Sequence, residues 1–380
     1  MEVKPGYKQT EVGVIPADWE VTTVGNEFAI QLGKMLDSEK NSGVLKPYLG
    51  NRAVQWGRID LDGIGFIRLT PSDLRRFRLV AGDLLVCEGG EIGRTAIWSQ
   101  PIDECYYQKA LHRLRPVCGY NIRLMLNLMQ QMVASGFLLN YVTQTSIAHL
   151  PKDKLENVPI PLPPLYEQEV IAEALSDANA LIDSLEQLIA KKRQIKQGAM
   201  QELLRPKNGW IQKKLKLIAP LQRGFDLPHR LLRAGRYPVV YSNGILNYHK
   251  DFMVKGPGLV TGRSGTLGVV QFITEDFWPH NTTLWVTDFN GNEPKFIYYL
   301  YSHIQLGRFG TGSGVPTLNR NDVHDYTTTI PTTLPEQTAI AEILSDMDEE
   351  IAVLEAKVAK ARLVKQGMMQ ELLTGRIRLV

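Results

Sequence analysis

Cysteine is scarce in these 380 residues, long apolar runs are missing, and the usual signatures of catalysis are absent. Cys87, Cys105 and Cys118 are odd in number and lack metal-ligand spacing, so they read as reduced thiols of a cytosolic protein. The expected localisation is therefore cytoplasmic. No apolar stretch is long enough to span a bilayer, and the N-terminal MEVKPGYKQTEVGVIP has no apolar core of a secretory signal. No membrane partner is expected.

The search for chemistry gives further absences. No G-x-x-x-x-G-K-[ST] loop exists, and GTGSGVPT (Gly310–Thr317), though glycine-rich, has no lysine to reach a phosphate. It reads as a surface loop. No His/Cys cluster has zinc spacing, so no metal site is expected. LPPLY places Leu162 where an adenine methyltransferase motif needs a polar side chain, and no glycine-rich strand-to-helix turn suits S-adenosylmethionine. Glu355-Ala-Lys357 fits the end of a nuclease motif but lies on a helical seam, where surface charge is the better reading. No catalytic residue is assigned.

What is present is a repeat. Glu167–Leu204 pairs without gaps with Glu336–Leu373, at an offset of 169 residues. The two stretches share 22 of 38 positions, ending in KQGAMQELL and KQGMMQELL. So long a period indicates duplicated domains rather than a solenoid. Both copies lack proline and are rich in helix formers. Ile171, Leu175, Ala178, Ile182, Leu185 and Ile189 recur at spacings of four and three, as do Ile340, Leu344, Met347, Ile351, Leu354 and Val358. That is a seam that needs a partner helix. Two helices of about 57 Å, pairing with each other, satisfy it, the alternative being that each packs on its own domain.

Proline-rich entries, VPIPLPPLYEQ and TIPTTLPEQ, start each helix. The expected organisation is a first domain over 1–160, a helix over 161–204, a second domain over 205–332, and a helix with C-terminal tail over 333–380. The domains echo each other. WEVTTVGNEFAIQLGK resembles WIQKKLKLIAPLQRGF, and GDLLVCEGGEIGRTAIW (Gly82–Trp98) resembles GPGLVTGRSGTLGVVQF (Gly256–Phe272). SIAHLPKDKLENVPIP resembles SGVPTLNRNDVHDYTTTIP. The expected class is α/β (α+β): two similar globular domains separated by two long antiparallel coiled-coil helices, pseudo-two-fold symmetric.

Charge is segregated along the chain. The four segments carry net charges of +1, −3, +7 and −2, so the helices are acidic and the second domain is basic. A basic domain suits nucleic acid, whereas an acidic helix does not suit a phosphate backbone.

Two variable domains alternating with two near-identical helices, entered by PLPPLYEQ and TTLPEQ and ending in KQGxMQELL, resemble the specificity subunit of type I restriction–modification systems. IPADWEV, GRSGTLG and the TGRI tail are also similar to that family. The resemblance implies two target recognition domains, each reading one half of a split asymmetric site in double-stranded DNA, and a helical spacer that sets the unread gap. It implies two methyltransferase subunits carrying S-adenosylmethionine, and two motor–nuclease (restriction) subunits, dependent on ATP and Mg, that can join. The chain itself would be non-catalytic and hold no cofactor. The competing reading is a coiled-coil interaction scaffold without sequence-specific DNA binding.

Base reading needs bidentate side chains, and phosphate contacts need cations, hydroxyls or backbone amides in glycine-rich turns. In the first domain the candidates are Asn51, Arg52, Gln55, Arg58, Arg94, Lys109 and Arg113. In the second they are Arg223, Arg230, Tyr241, Asn243, Tyr248, His249, Lys250, Arg263, Ser264, Arg308 and Arg320. Trp56 and Trp98 read as core. The spacer and partner candidates are the seam residues Ile171, Leu175, Ile182, Leu185, Ile340, Leu344, Ile351 and Leu354, with Gly198 and Gly367. A glycine within a helix costs about 1 kcal/mol relative to alanine. Its recurrence at the same place implies either a close backbone approach, on the other helix or on a partner, or shared ancestry alone.

Overall fold

The computed structural model describes residues 4–37, 39, 41–143, 148–312 and 316–379. Part of the Gly310–Thr317 loop and the start of SIAHL lie outside these. The chain divides into two units, residues 1–185 with 357–380, and residues 186–356.

In the first unit, alternation of apolar and polar residues builds short strands. They are β1 (Glu20–Thr23), β2 (Phe28–Leu32), β3 (Val44–Leu49), β4 (Gly65–Leu69), β5 (Leu84–Cys87), β6 (Thr95–Ile97), β7 (Tyr106–Tyr107) and β8 (Leu111–Pro116). An antiparallel sheet has the order β6-β5-β8-β2, and a second has the order β7-β3-β4 with β7 parallel to β3. The central strand β5 is buried on both faces, which explains its unbroken Leu-Leu-Val-Cys run. Leu84 and Val86 pack with Met125 and Met129 of α1 (Ile122–Ala134), while Leu85 and Cys87 pack with Leu49, Trp98 and Tyr107. Strand β9 (Pro159–Leu162) pairs with β1 and leads into the long helix α2 (Leu165–Leu203).

The second unit repeats this topology. Its strands are β10 (Ile211–Lys214), β11 (Leu221–Arg223), β12 (Tyr237–Tyr241), β13 (Gly244–His249), β14 (Gly258–Gly262), β15 (Val270–Ile273), β16 (Trp278–Pro279) and β17 (Thr283–Val286). The sheet orders are β15-β14-β17-β11 and β13-β12-β16, with β16 parallel to β12. Helix α3 (Pro294–Ile304) covers the sheet as α1 does, and β18 (Thr327–Ile330) pairs with β10 before helix α4 (Leu334–Leu372).

The antiparallel helix pairing is visible within each unit. Ile171, Ala172 and Leu175 at the start of α2 share a core with Met369 and Leu372 near the end of α4, and with Leu373 just after it. Met200 near the end of α2, and Leu204 just after it, share the other core with Ile340, Ala341 and Leu344 at the start of α4. In the second unit the pair is also laced by ions: Lys192 to Glu350 at 2.6 Å, Arg193 to Glu355 at 2.6 Å and Lys196 to Asp348 at 2.5 Å. Ile182, Ile351 and Leu354 are buried and Leu185 is half-buried, as a seam demands.

Gly198 and Gly367 are a partial correction. A methyl group added at either would meet nothing within 4 Å, so among the described residues no other helix crowds the side-chain face of either glycine. The readings left are approach by a partner and shared ancestry alone.

The repeated Glu-Gln pair at each helix start has a structural task that the sequence did not disclose. Gln168 is buried; its amide oxygen accepts the Asn121 N–H at 2.9 Å and its Nε2 donates to the Pro163 carbonyl at 2.9 Å. Gln337 does the same for the Glu293 N–H at 2.9 Å and the Pro331 carbonyl at 3.1 Å. Each glutamine therefore ties a long helix to the start of the sheet-covering helix and to its own proline-rich entry.

Candidate nucleic-acid interface

In both units the same strand ends converge. In the first unit these are the segments after β2, β3 and β5 and the one before β8. Gly33 N–H donates to the Leu111 carbonyl at 3.0 Å, and Lys109 N–H to the Lys34 carbonyl at 2.8 Å. A side chain at Gly33 would stand 2.2 Å from the Gln108 carbonyl oxygen, and one at Gly224 would stand 2.2 Å from that of His280. Glycine is obligatory at both because the backbones touch.

Backbone pairing fixes which positions correspond. Cys87 pairs with Leu111 as Gly262 pairs with Thr283. Glu88 N–H donates to Ala110 O at 2.9 Å, and Arg263 N–H to Thr282 O at 2.8 Å. The glycine-rich turns are thus registered one residue later than the Gly82/Gly256 alignment implies. Glu88 corresponds to Arg263, Gln108 to His280, Lys109 to Asn281, and Asn51 to Ser242.

In the first unit this surface holds Asn51 and Arg94 at the turn that follows Glu88, with Lys109 near the Glu88 carboxyl and Arg52 next to Asn51 in the chain. Asn51 Nδ2 donates to Gly89 O at 2.9 Å, and Arg94 donates to Asn51 O at 2.9 Å and to Glu91 at 3.0 Å. Both are struts that brace the turn. Arg52 and Lys109 are exposed. Gln55 is tied back to Arg52 O at 2.7 Å, and Arg58 is exposed on the next hairpin strand. Trp56 is half-exposed rather than core, with its Nε1 on Glu91 at 2.5 Å, whereas Trp98 is fully buried. Arg113 lies apart on β8, reaching Arg76 O at 3.5 Å. Burial pushes the Glu88 carboxyl above its usual range, against the pull of Lys109 and His149.

In the second unit the surface gathers Arg223, Tyr241, Asn243, Arg263 and Ser264. Arg223 pairs with Asp226 at 3.2 Å, and Asp226 also accepts from Asn281. Tyr241 stacks on His280 at 4.3 Å. Burial lowers the His280 pKa despite Asp226, which favours the neutral imidazole. Among the described residues the Arg263 side chain reaches the Asn281 carbonyl, at 3.5 Å. Asp226, His280 and Asn281 were missed, as were Glu88 and Gln108. The signal was present, because YYQKAL (Tyr106–Leu111) aligns with WPHNTT (Trp278–Thr283).

Other candidates lie elsewhere. Arg230, Tyr248 and Lys250 are exposed around β13, with Lys250 3.5 Å from Asp251. His249 is a correction: it is buried, its Nδ1 accepts the Arg233 N–H at 3.0 Å, and its ring stands edge-on to Trp278. It holds a loop and presents nothing outward. Arg308 stacks over Phe309 and Tyr326 at 4.8 and 4.5 Å, and Arg320 is exposed at the start of a short helix. Among the described residues no helix is long and apolar enough to cross a membrane.

A family model described as the type I restriction modification DNA specificity domain matches twice, over residues 16–197 and 207–361. The chain belongs to the type I restriction–modification DNA specificity family. The two matches fall on the two repeats of the fold. Among curated relatives, the putative type I restriction enzyme MjaX specificity subunit of Methanocaldococcus jannaschii is 23% identical, over 98% of this chain and 96% of its own. The MjaVIII specificity subunit of the same organism is 23% identical over 96% and 94%. The crystal structure of a type I restriction–modification S subunit from M. genitalium superposes with a TM-score of 0.65 at 14% identity, covering 98% of both chains. A chain from a study of complex assembly and conformational transition of a type I system gives 0.61 at 13% identity, covering 96% of this chain and 99% of that one. This specificity chain therefore shares its fold with them across almost its whole length.

Proposed function

We propose that this specificity chain is the non-catalytic subunit that chooses the DNA sequence for a type I restriction–modification complex. Each domain reads one half of a bipartite, asymmetric site in double-stranded DNA, and the helices set the gap and dock two methyltransferase subunits. Those subunits carry S-adenosylmethionine, and two motor–nuclease subunits using ATP and Mg can join them in the cytoplasm.

The observation that carries the reading is a repeated backbone frame with unlike side chains at equivalent positions. Gln108 corresponds to His280, Lys109 to Asn281, and Glu88 to Arg263 in the register fixed by the strand pairing. Two copies of one scaffold bearing different hydrogen-bonding groups suit the reading of two different half-sites.

Co-expression with the cognate methyltransferase subunit, followed by long-read methylome sequencing, tests this. The expected result is adenine methylation at a split motif that depends on this chain. A fully assembled complex that marks no split motif would overturn the reading.

A further inference from the structure

We propose that the position shared by Glu88 and Arg263 is a base-selecting position. Glu88 accepts the exocyclic amine of a cytosine in one half-site, and Arg263 donates to a guanine in the other. The inference rests on the reading above and deepens it by naming residues and bases.

The backbone at this position is fixed in the same way in both domains. Besides the bonds to Ala110 and Thr282, Leu150 N–H donates to Glu88 O at 2.8 Å and Leu318 N–H to Arg263 O at 2.7 Å. Gly89 then bridges His149 as Ser264 bridges Thr317. The frame thus preserves the chain path while the side chain reverses its charge. A residue needed only for the fold would keep one chemistry where the surroundings are kept.

The two side chains are also left available. Among the described residues the Glu88 carboxylate accepts no hydrogen bond and has no ion-pair partner within 4 Å; burial raises its pKa, and the nearby Lys109 and His149 offset this only in part. It is half-buried, so part of its hydration is already removed. Arg263 makes one long bond to a carbonyl and is likewise half-buried. A carboxylate can accept from cytosine N4 and reject the carbonyl edges of guanine and thymine, while a guanidinium matches guanine O6 and N7. The exposed Lys109 near Glu88 supplies the phosphate attraction that a lone carboxylate would oppose.

The test uses the full chain co-expressed with its methyltransferase subunit, with variants E88R, E88Q and R263E, and the methylated motif as readout. E88R and E88Q should change or relax one base pair in one half-site, with discrimination there falling about tenfold or more. R263E should change one base pair in the other half-site. Unaltered motifs at wild-type methylation levels would overturn the proposal. So would loss of assembly with both E88Q and E88R, since Glu88 would then be structural. If the wild-type complex itself marks no split motif, the functional reading fails rather than this assignment alone.

Discussion

The amide oxygen of Gln168 accepts the backbone N–H of Asn121 at 2.9 Å, so one side chain joins the first long helix to the helix that covers the sheet. Gln168 is almost fully buried, and so is Gln337, which makes the matching bond to Glu293 at 2.9 Å. Leucine at either place would leave a part-buried N–H and a buried carbonyl without that partner. Q168L and Q337L are each expected to destabilise the chain by about 1–3 kcal/mol, read as a lower urea midpoint. An unchanged midpoint would show that water replaces the amide at little cost.

Arg378 in the C-terminal tail donates to Glu167 at 2.8 Å and to Asp18 at 2.9 Å. Glu167 is buried, so R378A strands its carboxylate. The expected loss is about 2–3 kcal/mol, below the range for fully buried pairs because Arg378 itself reaches solvent. Adding E167Q to R378A should recover part of it in thermal denaturation. Additive losses would mean that the two groups are energetically independent.

The helices and their seam were legible because a seam period of 3.5 residues, from Ile171 to Ile189 and again from Ile340 to Val358, sits inside a 38-residue repeat without proline. The reading surface was legible only in part. Glycines recur through both turns, so alignment by identity placed them one residue out of register, and Glu88 stayed hidden behind the search for cations. His249 was misread because consecutive strand residues point to opposite faces. Of Tyr248 and His249 only the tyrosine is exposed, and neighbouring polarity does not reveal which face is buried.

Asp73 gives a pH dependence of known sign. Burial pushes its carboxyl up, but hydrogen bonds from Thr70 and Lys34 outweigh this and hold it below its usual value. A depressed folded pKa means that its stabilisation is present above the unfolded value of about 4 and is lost as pH falls through the lower folded value. D73N should therefore be less stable than wild type at pH 6, with the difference shrinking below pH 4. Urea midpoints measured against pH check this, and a difference that grows on acidification would contradict it.

Gly198 and Gly367 separate folding from assembly. Alanine at either meets no atom within 4 Å and should raise stability by about 0.5–1 kcal/mol, through helix propensity alone. Ile195 and Val364, three residues earlier on each helix, are exposed, so each glycine adjoins a solvent-facing apolar side chain. Tryptophan at both glycines should leave the chain folded by circular dichroism yet weaken co-purification with the methyltransferase subunit, while any complex that still forms marks the same DNA motif. The two helix ends present the same short segment, and a pair of identical partners needs two such places. A changed motif with undiminished assembly would move these glycines from partner docking to DNA reading, and would leave the repeat of KQGxMQELL as shared ancestry alone.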